Sequence, residues 1–159
     1  MQMTQFLSAE EKLAALGFAL PQLPAAGGNY VPAKRVGAIV YLSGVISAGP
    51  DGVITGTAGL DRSVEEGYAA ARACALTELA VLKRELGSLD GVAEILTVNG
   101  YVNAAAGFAD SPAVINGASD LLVQVFGERG RHVRAAVGVS ALPRNALVEV
   151  QMTVRVNEG

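Results

Sequence analysis

The sequence predicts an α+β domain in which two helices cover one face of a mixed β-sheet. Val64, Tyr68, Ala71, Ala75, Leu79, Leu82 and Leu86 recur at spacings of three and four, which traces one face of a long helix. A second helical pattern, Ile115, Ala118, Leu122 and Val125, follows Asp110-Ser111-Pro112. Alternating, β-branched segments lie before, between and after these two, giving the order β-β-(β)-α-β-α-β-β. At 159 residues the chain suits one domain with its own core. Residues 1–28 read as an N-terminal helix and connector, and residues 29–159 as the domain.

In chain order, Ser8-Ala9-Glu10-Glu11 is a capping box, so a short helix should run to Leu16 and stop at Gly17. Residues 18–28 are punctuated by Pro and Gly and predict an extended connector. Strands are expected over residues 30–36 and 38–46 around Gly37, the first at a sheet edge because Pro32 cannot donate to a ladder. Ala48-Gly49-Pro50-Asp51-Gly52 is turn chemistry, with a short return strand at Val53-Ile54-Thr55. Ser63-Val64-Glu65-Glu66 is a second capping box. The long helix it opens has Lys83 and Arg84 in its last turn and Gly87 beyond, so capping, dipole and periodicity agree. Residues 93–103 read as a buried strand, and the second helix begins at Asp110 or Ser111 with Pro112 in its first turn and ends at Gly127. The last two strands flank Leu142-Pro143-Arg144-Asn145 and predict a hairpin.

Composition narrows the function. Twelve basic against 15 acidic residues give a slightly acidic chain without the electrostatic footprint of a nucleic-acid binder. A single Cys (Cys74) and a single His (His132) allow no intrachain disulfide and argue against a His/Cys zinc site, which wants three or four such ligands. No G-x-x-x-x-G-K-[ST] occurs, and Gly52, Gly56 and Gly59 lack dinucleotide-binding spacing, so no cofactor is expected. The N-terminal residues do not read as a signal peptide, and the longest uncharged run, 36–50, is shorter than the roughly 20 residues that span a bilayer. A cytoplasmic protein is expected.

Charge in the last two strands points to a site. Val148, Val150, Met152, Val154 and Val156 form one face of the final strand, and Glu149, Gln151, Thr153 and Arg155 the other. A hairpin would set Arg134, Ala136 and Gly138 beside Glu149 and Gln151 on the non-core face. That face is too apolar for open solvent and too charged for a core, which predicts a subunit interface enclosing clefts. The structural alternative is a cross-strand ion pair between Arg134 and Glu149.

Tyr30, the strand motif Tyr41-Leu42-Ser43-Gly44, the helix from Tyr68 to Leu86, the strand end Gly100-Tyr101-Val102-Asn103, Phe108 with Asn116, Arg134, Leu142-Pro143 and Val148-Glu149-Val150 occur in an order that resembles the YjgF/Rid family of reactive-intermediate deaminases. The resemblance covers roughly residues 29–156 and is closest to a longer-form subgroup. It implies a homotrimer with ligand clefts between subunits. In such a cleft Arg134 would clamp the carboxylate of a 2-imino or enamine acid, Glu149 would handle the attacking water, and Tyr30, Ser43, Gly44 and Asn116 would line the walls. Two positions depart from the family pattern: Ala136 stands where many members have Cys, and Val45 where many have Gln. The functions implied are hydrolytic deamination to a 2-oxo acid and ammonia, or binding of small carboxylates without turnover. A ribonuclease fits less well, because a basic-aromatic stripe is missing.

Overall fold

The computed structural model describes residues 6–23, 25 and 28–158. Helix α1 (Ala9–Ala15) opens with the expected capping box, Ser8 Oγ accepting from the Glu11 amide while the Glu11 carboxylate accepts from Ser8 N–H. Its Ala9 and Leu13 are buried in the same core as the rest of the chain. Glu10 fixes the docking, its carboxylate accepting from Leu89 N–H at 2.7 Å. The connector beyond it has no regular structure among its described residues, yet Phe18, Leu20 and Leu23 pack against the core.

Helix α2 (Val64–Leu86) starts at the Ser63–Glu66 capping box and ends at Gly87, whose φ of +81° suits glycine. Helix α3 (Ser111–Phe126) starts after Asp110, which makes no side-chain cap bond, and stops at Gly127. The helices pack closely because Gly67 lies under Val114 and Gly117 lies against the Tyr68 backbone.

The main sheet contains β1 (Ala33–Val36), β2 (Ile39–Leu42), β3 (Val45–Ile46), β6 (Val92–Asn103), β7 (Val133–Val139) and β8 (Val148–Val156), while β4 (Ala48–Gly49) and β5 (Gly52–Val53) form a small ladder of their own. Strand order is β1-β2-β8-β6-β7, with β3 continuing along β8 beyond β2. β1 takes the edge that Pro32 predicts. All pairs in the main sheet are antiparallel except β6 with β7, which makes the sheet mixed as expected.

The C-terminal hairpin is not formed. β6 lies between β7 and β8, parallel to the first and antiparallel to the second. Helix α3 is the reason: a strand, a crossover helix and a return strand pack as a parallel unit. The link 140–147 therefore steps across the end of β6, turning at Arg144 and Asn145 with positive φ of 56° and 57°.

This topology also corrects the expected faces. Val98 pairs with Arg134 on one side and with buried Met152 on the other, so Arg134, Ala136 and Gly138 lie on the helix side at the sheet edge. Glu149 and Gln151 lie on the opposite, open face. That open face carries Tyr41, Asn99, Tyr101, Val133 and Val137, of which Val133 is 70 % exposed, Tyr41 51 % and Val137 45 %. Beneath the helices, Gly100 leaves room for Ile115 to sit on the sheet. Among the described residues no helix is long and apolar enough to cross a membrane.

Candidate functional site

The candidate residues fall into two separate groups. The first is built on β7 and α3. Arg134 leaves the edge strand and reaches α3, where its Nη1 donates to Asn116 Oδ1 at 2.8 Å and to Ser119 Oγ at 3.2 Å, while Nη2 points to the Pro112 carbonyl at 3.4 Å. The guanidinium is exposed, and it makes no ion pair among the described residues. The cross-strand pair with Glu149 is excluded by topology: a strand separates the two residues and their side chains leave opposite faces.

The second group gathers around the break between β2 and β3. The register of β8 changes from Tyr41↔Thr153 to Val45↔Val150, so Leu42 to Gly44 bulge out of the ladder. Gln151 fills the gap, donating to the Leu42 carbonyl at 3.0 Å. Ser43 ties in the incoming chain, its hydroxyl donating to the Val31 carbonyl at 2.6 Å and its amide to the Pro32 carbonyl at 2.9 Å. Glu149 fits against the bulge because Gly44 has no side chain: a Cβ there would stand 2.8 Å from Glu149 Oε2. Burial raises the Glu149 carboxyl above the ordinary carboxylate range.

Tyr30, Ser43 and Gly44 line a common cleft of about 240 Å³. Val45 and Pro32 share its walls with Leu23 and Ala25 from the connector and with Thr77, Val81 and Arg84 from α2, which the sequence did not mark as site residues. Asn116 is not in this cleft; it belongs with Arg134. Glu149 does not line it either; Arg134 with Asn116, and Glu149 beside Gly44, lie on opposite faces of the sheet.

Four further residues show their surroundings only in three dimensions. Ser119 and His132 join Arg134, with Ser119 Oγ and His132 Nε2 at 2.9 Å and His132 Nδ1 facing the Gly130 carbonyl at 2.7 Å. Burial, and less strongly the Arg134 charge, lower the His132 pKa. Glu78 sits in the buried stripe of α2 with 0 % exposure, and neither carboxylate oxygen has a partner. Burial first, then the charge of Glu149, push its pKa well up. Cys74 is a buried free thiol donating weakly to the Val148 carbonyl, and burial likewise raises its pKa well above the usual value. Among the described residues no three His, Cys, Asp or Glu side chains converge to hold a metal.

Comparison with known proteins identifies the class to which this α+β domain belongs. The family model described as "YjgF/chorismate_mutase-like, putative endoribonuclease" matches residues 10–156. The chain belongs to this YjgF/Rid family. It is 43 % identical over 147 residues to Protein TCP17 of Trypanosoma cruzi, covering 91 % of this chain and 92 % of that protein. The crystal structure of Atu1372 from Agrobacterium tumefaciens, a protein of unknown function, superposes with a TM-score of 0.86 at 39 % identity, covering 94 % of each chain. A "putative endoribonuclease" from Shewanella oneidensis gives a TM-score of 0.89 at 36 % identity, covering 94 % of this chain and all (100 %) of that one. RidA from Psychrobacter is more distant, at 0.58 and 26 %, covering 87 % of this chain and 100 % of the other.

Proposed function

We propose that the chain is a hydrolytic deaminase of small 2-imino or enamine acids that works as a homotrimer, with each site shared between neighbours. The observation that carries this reading is the exposed guanidinium of Arg134, held on one side by Asn116 and Ser119 and without an acid partner among the described residues. A planar fork oriented in this way suits a carboxylate, which it binds through parallel charge-assisted bonds. Glu149 cannot reach the same ligand within one chain, because it leaves the other face of the sheet. Packing the open faces of several copies together would bury Val133, Val137 and Tyr41 and set the Arg134 edge of one subunit beside the Gly44–Glu149 bulge of the next.

The chemistry then follows from the two groups. Arg134 and Asn116 hold the carboxylate, which fixes the imine carbon. Glu149, its pKa raised by burial, accepts a proton from a water molecule as that water adds to the C=N carbon. That proton passes to nitrogen to give a carbinolamine; Glu149 then takes the carbinolamine hydroxyl proton and delivers it to nitrogen as the C=O bond forms and the C–N bond breaks, releasing ammonia and a 2-oxo acid. With Ala136 beside the arginine, no thiol takes part in this scheme. The acidic net charge and the lack of a basic-aromatic stripe weigh against RNA as substrate. Purified protein should speed ammonia release from a 2-aminoacrylate-type intermediate generated in the cuvette. A wild type inactive across several imino acids would overturn the reading. Thermal stabilisation by 2-oxo acids without turnover would leave a carboxylate-binding protein in its place.

A further inference from the structure

The hydrogen bonds around Arg134 have only one consistent direction. The guanidinium has donors and no acceptor, so Ser119 Oγ accepts from Nη1. The Gly130 carbonyl can only accept, so Nδ1 of His132 carries hydrogen. A half-buried imidazole with lowered proton affinity is neutral at physiological pH, which leaves Nε2 as an acceptor. The Ser119 hydroxyl therefore donates to Nε2, and its lone pairs turn toward Arg134. Both Nη1 hydrogens are then used, by Ser119 and Asn116. The Nε–H and one Nη2 hydrogen remain to serve the two oxygens of a carboxylate.

We propose that Ser119 and His132 are positioning residues for Arg134: the neutral imidazole orients the serine hydroxyl, the serine oxygen fixes the guanidinium, and carboxylate capture is thereby coupled to the proton on His132. The proposal rests on Arg134 being the carboxylate clamp. One hydroxyl separates the imidazole from the guanidinium, so a carboxylate landing on Arg134 offsets the charge that opposes protonation of His132. Protonation makes Nε2 a donor to Ser119 Oγ, whose second lone pair still accepts from Nη1, so the guanidinium stays held; binding raises the proton affinity of His132, and by linkage the ligand binds more tightly as pH falls through that titration. The charged residues next to His132 and Ser119 in the chain are engaged elsewhere. Arg131 pairs with Glu128, Arg129 donates to the Val92 carbonyl, and Asp120 on α3 accepts from Tyr68. Arg134 is the charged residue that weighs on His132.

The chain holds a single histidine, so long-range 15N NMR of the imidazole reads this device directly in the intact protein. The Nδ1–H tautomer is expected, with a midpoint below the ordinary 6.5 that rises in Arg134→Ala and on addition of 2-oxobutyrate. Calorimetric titration of 2-oxobutyrate between about pH 8 and about pH 5.5 should show affinity rising as pH falls. Ser119→Ala should weaken binding roughly tenfold and flatten that pH dependence, as expected for loss of one oriented hydrogen bond. His132→Gln, whose carboxamide oxygen can still accept from Ser119, should keep most of the affinity and lose the pH dependence. An Nε2–H tautomer would overturn the proposal, as would unchanged affinity and pH slope in both variants while Arg134→Ala abolishes binding. If Arg134→Ala leaves binding intact, the clamp reading fails instead. If the wild type binds no 2-oxo acid, the clamp reading fails too, and the tautomer and midpoint still decide the Ser119–His132 geometry.

Discussion

In the proposed deaminase Arg134 and Glu149 have different tasks, which single substitutions can separate. Removing the guanidinium removes two charge-assisted bonds worth about 1.5–3 kcal/mol each, so Arg134→Ala should weaken 2-oxo acid binding by roughly a hundredfold to ten-thousandfold. Arg134→Lys should recover little, because an ammonium cannot present two parallel donors. Glu149→Gln should act differently, leaving carboxylate affinity nearly intact while kcat for ammonia release falls by roughly 10²–10⁴. Glu149 works as a carboxylate, and burial raises its pKa, so the rate should fall as pH drops through that raised value. A pH–rate profile of wild type checks the direction. The sequence marks Arg134 and Glu149 as charge in alternating strands but sets them on one face, which the strand order corrects, and it gives Ser119 and His132 no place beside Arg134. They lie in separate elements, and only the parallel packing of β7 under α3 brings them within 2.9 Å.

At the scale of elements, local signals were read correctly and long-range pairing was not. The capping boxes at Ser8 and Ser63 need only four consecutive residues, and both helices start where those residues say. The C-terminal strands were also found, but their alternation says nothing about which strand lies alongside, and the crossover through α3 inserted β6 between them. Apolar periodicity located α2 and missed Glu78 because a carboxyl does not register as part of a stripe. That residue sets a stability prediction. Its folded pKa lies above the unfolded value, so its contribution is fully present below the unfolded pKa and is lost as pH rises through the folded one. Glu78→Leu should stabilise the protein by about 1–3 kcal/mol at about pH 8, with a smaller gain in acid, by relieving an unpaired buried polar group. Thermal melts across pH measure this. The α2–α3 contact gives the opposite sign. Any side chain at Gly117 meets the Tyr68 backbone, so Gly117→Ala should destabilise by about 1–3 kcal/mol in the same assay.

The whole molecule makes sense as part of an assembly. Val133 at 70 % exposure and Val137 at 45 % lie on one open sheet face beside Tyr41, and Glu149 stands half-buried on that same face. Arg134 waits at the edge, facing the other way. The proposed trimer satisfies both, and it makes each active site the joint property of two chains. Mixing two inactive variants is therefore the most direct test. Arg134→Ala retains the acid half-site and Glu149→Gln retains the cation half-site, so neither should release ammonia alone. When the two are co-expressed in equal amounts and assemble at random, about a quarter of the interfaces join an intact Arg134 to an intact Glu149, and about a quarter of wild-type activity should return. A mixed preparation shown by mass spectrometry to contain both chains in one oligomer, yet as inactive as its parents, would contradict the shared site.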